Sequence, residues 1–380
     1  MPQKRVLTKS SDGRWRKIIK GKAVYFGKVN PKGVNRSYKE SEGRYFEYVA
    51  QAEVYQPIRV EISKLTIADF AEKFLQHEFN RYERKEICPS RFAKIKSTTI
   101  DFVEQSGHDI PLDSLNELML SDYRDYTLSC PKSKCSKKKI SIWTAKSRLD
   151  VIKYMIKWGY KHALIDQMPR NMDGYSRVQL PQPTIKRFSR EEIYLLYDTA
   201  NDRMKTFIVL ALNCGFGQTD ISNLRVGEID LKEGRIIRKR SKTGVECQFA
   251  LWPLTVKLLK EHGNMDGKPG DRVFVSRSGQ RLVHEQYVDD VLKKTDCVRL
   301  AFMRLMKSLD IPQDRGFYAL RKTAACEIER IDPMVTEMYL GHSERGLKRH
   351  YAERDWARLD EAIMELFPAL LNIGITSCES

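Results

Sequence analysis

The sequence predicts a mainly α-helical protein with small β elements: an N-terminal β-hairpin arm, a helical domain, and a C-terminal domain of mixed α+β structure. Polar and apolar residues alternate over residues 13–27, as in a hairpin. Apolar residues recur with helical spacing over residues 67–83, 91–105 and 144–160. Residues 233–254 alternate again and predict a β-ribbon within the third part.

The composition indicates a polyanionic partner. Lysine and arginine total 67 against 50 acidic residues, a net charge of +17 in 380 residues. Such an excess favours nucleic acid, with an anionic membrane surface as the weaker alternative. No apolar run approaches the ~20 residues that span a bilayer, and the first residues lack the apolar core of a signal peptide. We therefore expect a cytoplasmic protein without a membrane partner.

The arm is predicted within residues 1–60 as a hairpin that turns at Lys20-Gly21-Lys22, followed by a short helix from Ser37. Basic side chains line the hairpin, and they fit either a solvated charged hairpin or a small DNA-binding arm. The candidate DNA-binding residues of the arm are Arg14, Arg16, Lys20 and Lys22.

The second domain is predicted at residues 63–170, and Thr66 is its first helix N-cap. A lysine-rich run interrupts the helices, and it fits either a solvated loop or a phosphate contact. Its candidate DNA-binding residues are Lys137, Lys138 and Lys139. The eight cysteines include one close pair, Cys130 and Cys135, and no nearby histidine completes a zinc site, so we expect free thiols and no metal.

A proline-containing linker is predicted at residues 171–187, followed by the third domain at residues 188–372. Ser189 and Glu192 form a capping box at the start of its first helix. An apolar helix over residues 203–214 ends at Gly215.

Later in the third domain, the ribbon is predicted to turn at Lys242-Thr243-Gly244, and helices are expected to dominate from about residue 284 to 369. Residues 358–371 form an amphipathic helix that could pack on its own domain or on a neighbouring copy, and the neighbour is favoured.

Several short motifs occur in a fixed order in this domain. Lys242 on the ribbon turn is followed by Tyr318-Ala-Leu-Arg321, then by Leu340-Gly341-His342, and nine residues after His342 comes Tyr351. Each motif alone is weak, but the ordered set over residues 185–365 resembles the catalytic domain of tyrosine recombinases, the phage-type integrases that include lambda integrase.

The resemblance implies the fold and the chemistry. The second domain would be a SAM-like core-binding domain, and the third would be the catalytic domain. Tyr351 would attack a DNA phosphodiester and form a 3′-phosphotyrosyl bond, which conserves bond energy without a cofactor. Arg321 and His342 would hold the phosphate, with Tyr318 where the family has a histidine. Lys242 would protonate the leaving 5′ oxygen.

One departure from the family pattern affects the expected activity. Gly217 falls where the first active-site arginine is expected, and Asp220 takes the place of the supporting acid. Either another cation replaces the arginine, or the protein is a weakened or inactive DNA-binding relative. The candidate replacements are Arg203, Lys205, Arg240 and Arg315.

The resemblance also implies the partners: double-stranded DNA, clamped between the two larger domains, and a homotetramer on paired recombination sites. Accessory DNA-bending proteins would be compatible with this assembly. The expected setting is a bacterial or phage-derived protein associated with the nucleoid. A type IB topoisomerase-like enzyme, which uses the same tyrosine chemistry as a monomer, is the less favoured alternative.

Overall fold

The computed structural model describes residues 5–19, 22–54, 65–131, 138–182, 184–240, 244–342 and 354–371. The chain forms two compact units. The first comprises Met1–Gln76 and Thr98–Arg177, and the second comprises His77–Ser97 and Val178–Ser380. None of the helices in the described ranges is long and apolar enough to cross a membrane.

The first unit begins with a three-stranded antiparallel sheet covered on one face by a helix. Its elements are β1 (Thr8–Lys9), β2 (Arg14–Ile19), β3 (Lys22–Lys28) and α1 (Val34–Val54). Trp15 and Phe26 are buried on the inner face, where the Trp15 ring meets Tyr38 of the helix edge-on at 5.1 Å. The predicted hairpin is confirmed, and the helix after it is longer than expected.

The rest of this unit is a helical bundle. Its helices are α2 (Ile67–Glu83, which continues into the second unit), α3 (Pro89–Ser106, which begins in the second unit), α4 (Glu117–Ser129), α5 (Ile142–Lys161) and α6 (Met172–Tyr175). Thr66 caps α2 as predicted, since its hydroxyl accepts from the Asp69 backbone amide at 3.1 Å. Helix α4 was not predicted, and Asn116 caps it by accepting from the amides of Leu118 and Met119.

The second unit combines helices with two small sheets. Its helices are α7 (Arg190–Thr199), α8 (Asp202–Asn213), α9 (Gln218–Asn223), α10 (Pro253–His262), α11 (Cys297–Ser308), α12 (Tyr318–Ile331), α13 (Thr336–Tyr339) and α14 (Trp356–Leu370). Its strands are β4 (Ile229–Asp230), β5 (Arg235–Lys239), β6 (Glu246–Ala250), β7 (Val283–Val288) and β8 (Val291–Asp296). The predicted mainly α fold with small β elements is confirmed.

Helix α8 is the centre of this unit, because its residues from Phe207 to Asn213 are all buried. The Asn213 side chain joins three elements: it donates to the Ala250 carbonyl at 2.9 Å and accepts from the Trp252 amide and the Thr255 hydroxyl. The predicted capping box at the start of α7 is present. Gly215 follows α8 with φ +59°, a conformation that favours glycine.

The hairpin β7–β8 corrects the expectation that helices dominate from residue 284. The two strands pair from Val283 with Asp296 to Val288 with Val291. Asp289 and Asp290 connect them with φ of +52° and +62°, the backbone of a type I′ turn. The alternation over these strands is short and rich in charged residues, so it gives only a weak strand signal. Phe92 of the second unit packs edge-on against Tyr287 of this hairpin at 5.1 Å.

The expectation that residues 358–371 favour a neighbouring copy is also wrong, because α14 packs on its own unit. Leu359, Ile363 and Leu366 are fully buried in the core. The Trp252 indole donates to the Ile363 carbonyl at 2.7 Å and fixes the helix against α10. The apolar stripe was recognised correctly, but a sequence pattern cannot show which copy of a chain supplies the opposing surface.

We expect Leu359→Ala to lower the free energy of unfolding of the isolated monomer by about 2–5 kcal/mol, because it opens a cavity in the core. Met364→Ala on the exposed side of the same helix is the control, with an expected change within about 0.5 kcal/mol. Urea denaturation at low protein concentration measures both. A change in oligomeric mass with unaltered monomer stability would show that the helix docks on another copy.

Candidate active site

Helix α12 carries two of the predicted site residues one turn apart. Tyr318 is its first residue and is 45% exposed, while Arg321 is 3% exposed. The guanidinium of Arg321 donates to the carbonyls of Gly215 and Leu340, the latter at 2.6 Å. Its Nε is buried without a hydrogen-bond partner. The guanidinium carbon lies 5.9 Å from the centre of the Tyr318 ring, so the two predicted residues share one site.

The Leu340-Gly341-His342 motif ends α13 beside Arg321. Gly341 has φ +56°, and a Cβ there would lie 2.7 Å from the Cys247 sulfur, so this turn needs a glycine. The turn directs the Leu340 carbonyl toward Arg321 and leaves the His342 side chain partly exposed. The imidazole Nδ1 lies 2.6 Å from a carboxylate oxygen of Glu337, which orients the ring.

Strand β5 brings two more arginines to this site. Residues 236, 238 and 240 alternate with exposed residues, so Arg238 and Arg240 point to the same side of the ribbon as the buried Ile236. Arg240 donates to the Leu340 carbonyl at 2.7 Å, the oxygen that also accepts from Arg321. Arg238 donates to the Asp220 carbonyl at 3.0 Å. All three arginines line one small pocket, whose space of about 10 Å³ is that of a single water molecule, so a larger group could meet these arginines only at its opening.

The buried thiol of Cys247 also marks this concentration of positive charge. Burial raises its pKa, and the charges of Arg354, Arg240, Arg238 and Arg321 act in the opposite direction. Four guanidinium groups therefore surround one point on β6. Such a concentration of cations is what a phosphate site requires.

Gly217, where the family has an arginine, begins α9 at the edge of the pocket. Its amide donates to the carboxylate of Asp220 at 3.0 Å. A Cβ at residue 217 would lie 3.4 Å from the Tyr318 ring and 3.6 Å from that carboxylate, both ordinary contacts. A Cβ at this position would therefore fit next to Tyr318.

Of the four candidate replacement cations, only Arg240 lines the pocket. Arg203 donates to the Val275 carbonyl, and Lys205 lies 5.5 Å from the Tyr197 ring. Arg315 is paired with Glu192 in another part of the unit. Arg238 was not among the predicted site residues, although its position two residues before Arg240 in an alternating strand is a sequence signal for it.

Tyr339 lies beside the pocket and can be excluded as a nucleophile. Its hydroxyl donates to the Leu212 carbonyl at 2.6 Å, and its ring is fully buried. Burial raises the pKa of this phenol, so it remains protonated and out of reach of a substrate. Two predicted site residues, Lys242 and Tyr351, lie outside the described residues.

The predicted DNA-binding residues lie in the first unit. Arg14 is exposed, pairs with Asp12 and lies 4.0 Å from the centre of the Tyr25 ring. Arg16 is half-buried on the same strand, and Lys22 begins β3 in an exposed position. Lys138 and Lys139 are exposed at the end of the lysine-rich run, while Lys20 and Lys137 lie outside the described residues.

Two models of known protein families match the two larger domains of the chain. Residues 186–358 match the sequence model of the phage integrase family, and residues 66–173 match that of the phage integrase SAM-like domain. The chain belongs to the phage integrase family of tyrosine recombinases. Membership places it among the site-specific DNA recombinases.

Solved structures agree with this integrase fold. A lambda integrase tetramer bound to a Holliday junction has 15% identity and a TM-score of 0.56, and the match covers 93% of this chain and 99% of the lambda chain. The Tn1549 transposon integrase in complex with a circular intermediate DNA has 14% identity and a TM-score of 0.53, with 79% and 99% covered. No curated protein is significantly similar in sequence to this integrase.

The site geometry predicts that two of the glycines of this integrase differ in how well they tolerate substitution by alanine. Gly217→Ala should change the free energy of unfolding by less than about 1 kcal/mol, because its backbone is extended and the new Cβ meets only ordinary contacts. Gly341→Ala should be clearly more destabilising, since it combines a left-handed backbone with a close approach to Cys247. Chemical denaturation of the two variants checks this, and equal stability would contradict the described turn.

Proposed function

We propose that this integrase cleaves and rejoins DNA through a covalent 3′-phosphotyrosyl intermediate at Tyr351. The observation that supports this most directly is the cationic pocket around Arg321, in the domain that matches the phage integrase family. Arg321 enters it from α12, and Arg238 and Arg240 enter it from β5 and the residue that follows this strand. A structural ion pair would not need several guanidinium groups at one point.

In the proposed reaction, the phenolic oxygen of Tyr351 forms a bond to phosphorus, and the bond from phosphorus to the 5′ oxygen breaks. The phenol loses its proton to solvent, and Lys242 gives a proton to the departing 5′ oxygen. Arg321 and His342 stabilise the charge that develops on the non-bridging oxygens, and Glu337 holds the imidazole in position. The hydroxyl of Tyr318, which is half exposed next to Arg321, donates a further hydrogen bond to a non-bridging phosphate oxygen.

We infer that three domains of the chain bind DNA. They are an arm at residues 1–60, a core-binding domain at 63–170 and, after the linker at 171–187, a catalytic domain at 188–372. The net charge of +17 supplies phosphate contacts, which position the duplex without specifying its sequence. A homotetramer on two sites would exchange strands through a Holliday junction, as the solved lambda assembly illustrates.

A weakened or inactive DNA-binding relative is the second candidate function, and Gly217 is the observation that favours it. By analogy with arginine fingers, a missing guanidinium costs about 10³–10⁵ in rate. Against this alternative, Arg321 lines the pocket, Glu337 orients the imidazole of His342, and Arg240 supplies a cation next to Arg321.

The covalent step predicts an adduct that depends on Tyr351. Duplexes selected for binding from a random-sequence pool, and nicked at staggered positions, allow the cleaved fragment to dissociate and trap the protein on DNA. We expect wild type to form a denaturant-resistant adduct and Tyr351→Phe to form none, because the nucleophilic oxygen is gone. Gel electrophoresis under denaturing conditions measures the adduct.

Tyr318→Phe is the matched control. It removes a phenolic oxygen from the same site but not the proposed nucleophile, so the adduct should still form, about 3- to 30-fold more slowly. If the adduct persists in Tyr351→Phe and disappears in Tyr318→Phe, the nucleophile is Tyr318 and the proposal for Tyr351 is wrong. Salt-dependent binding with no adduct from wild type would favour the inactive relative.

The arm predicts a charge-dependent contribution to binding. Replacing Arg14 and Arg16 with alanine should weaken binding to long duplexes and reduce the salt dependence by about one unit for each phosphate that the arm no longer neutralises. Arg36→Ala on α1, which pairs with Glu40 on the helix that covers the other face of the sheet, is the control. Fluorescence anisotropy at several salt concentrations measures both, and equal effects would argue against a DNA-binding face on the hairpin.

A further inference from the structure

We propose that Arg240 supplies the second guanidinium of the phosphate site, in place of the arginine that is absent at residue 217. This inference rests on the proposed cleavage function. It assigns a catalytic residue that the family pattern does not place on the ribbon, and it accounts for how a site without the first arginine can remain active.

The position of Arg240 relative to Arg321 is the first argument. Both donate to the carbonyl oxygen of Leu340, at 2.7 and 2.6 Å. Their Nη atoms therefore lie within about two hydrogen-bond lengths of each other, on the turn that leads to His342. Two guanidinium groups at this spacing can contact different oxygens of one phosphate.

The charge balance of the site is the second argument. Asp220 lines the same pocket, but among the residues that the structure describes no carboxylate forms an ion pair with Arg240 or Arg321. Arg321 is 3% exposed, and its buried Nε has no hydrogen-bond partner. Positive charge in a buried place is costly without a counter-charge. A bound phosphodiester would supply the missing negative charge.

Arg238 has a different environment and fits a positioning role. It is 6% exposed, its Nε lies 3.6 Å from the carboxylate of Glu228, and it donates to the Asp220 carbonyl. Its charge is therefore compensated within the protein, and its contacts hold β5 against the start of α9. Arg240 is less buried and reaches the rim of the pocket.

The backbone of Arg240 is also fixed by the ribbon. Its amide donates to the Val245 carbonyl at 2.8 Å, and its carbonyl accepts from the Gly244 amide at 2.8 Å. These two bonds hold the backbone of Arg240 at the end of β5, so its side chain starts from a defined position next to the pocket.

The test compares adduct formation by Arg240→Ala, Arg240→Lys and Lys239→Ala on the nicked duplexes selected for binding. We expect Arg240→Ala to slow cleavage about 10²- to 10³-fold, because one fixed donor to the developing charge is removed. Arg240→Lys should fall between it and wild type, because lysine keeps the charge but not the planar fork. Lys239→Ala removes an exposed charge from the neighbouring residue and should change the rate less than about threefold.

A substrate with a methylphosphonate at the mapped scissile position distinguishes a direct role from a structural one. Replacing a non-bridging oxygen with methyl removes the negative charge that Arg240 is proposed to neutralise. The deficit of Arg240→Ala should then shrink to less than about tenfold on at least one diastereomer. A deficit of the same size on both substrates would mean that Arg240 acts through the fold, and the proposal would be overturned.

The double variant Gly217→Arg/Arg240→Ala separates loss of the guanidinium from a folding defect. It places a guanidinium at the family position while residue 240 remains alanine, so a rate that recovers cannot have been lost through misfolding. Recovery of at least tenfold in rate over Arg240→Ala supports the proposal, and no recovery in a folded double variant overturns it. If wild type cleaves and Arg240→Ala cleaves equally fast, only the assignment of Arg240 fails. If wild type forms no adduct and Gly217→Arg alone does, the proposed activity of the native chain fails.

Discussion

The candidate site depends on one backbone carbonyl, that of Leu340. Gly341 adopts a left-handed conformation that L-residues with side chains rarely tolerate, and this turn directs the carbonyl toward the pocket. Arg321 from α12 and Arg240 from the ribbon both bind it, so three separate elements meet at a single oxygen. Without this acceptor, two neighbouring guanidinium groups would repel each other with no shared partner.

The surrounding core fixes the positions of these three elements relative to one another. Buried α8 presents Gly215 to Arg321, and Asn213 ties the same helix to the end of β6 and to α10. The pairing of Arg238 with Cys247 across β5 and β6 fixes which side chains of the ribbon face inward. Side chains in the site are therefore placed by packing around it, which is how fixed charges can avoid reorganising when a substrate arrives.

Local sequence patterns predicted much of the fold and the order of the motifs, and long-range contacts decided the rest. The hairpin at Arg14–Lys28, the caps at Thr66 and Ser189 and the glycine after α8 depend on neighbouring residues, so they could be recognised. The β7–β8 hairpin depends on aspartates with positive φ, a role more often filled by asparagine or glycine. The cation next to Arg321 could not be chosen from sequence, because it is separated from that residue by 81 positions and shares with it the carbonyl of Leu340, a long-range contact.

Because α14 packs within its own chain, folding of this unit does not require a second copy. A chain that buries its own last described helix completes this part of its hydrophobic core without help from a second copy. Its thermal stability should then be insensitive to concentration, unlike that of subunits that complete each other. Association with other copies on DNA would therefore have to use surfaces other than the buried face of α14.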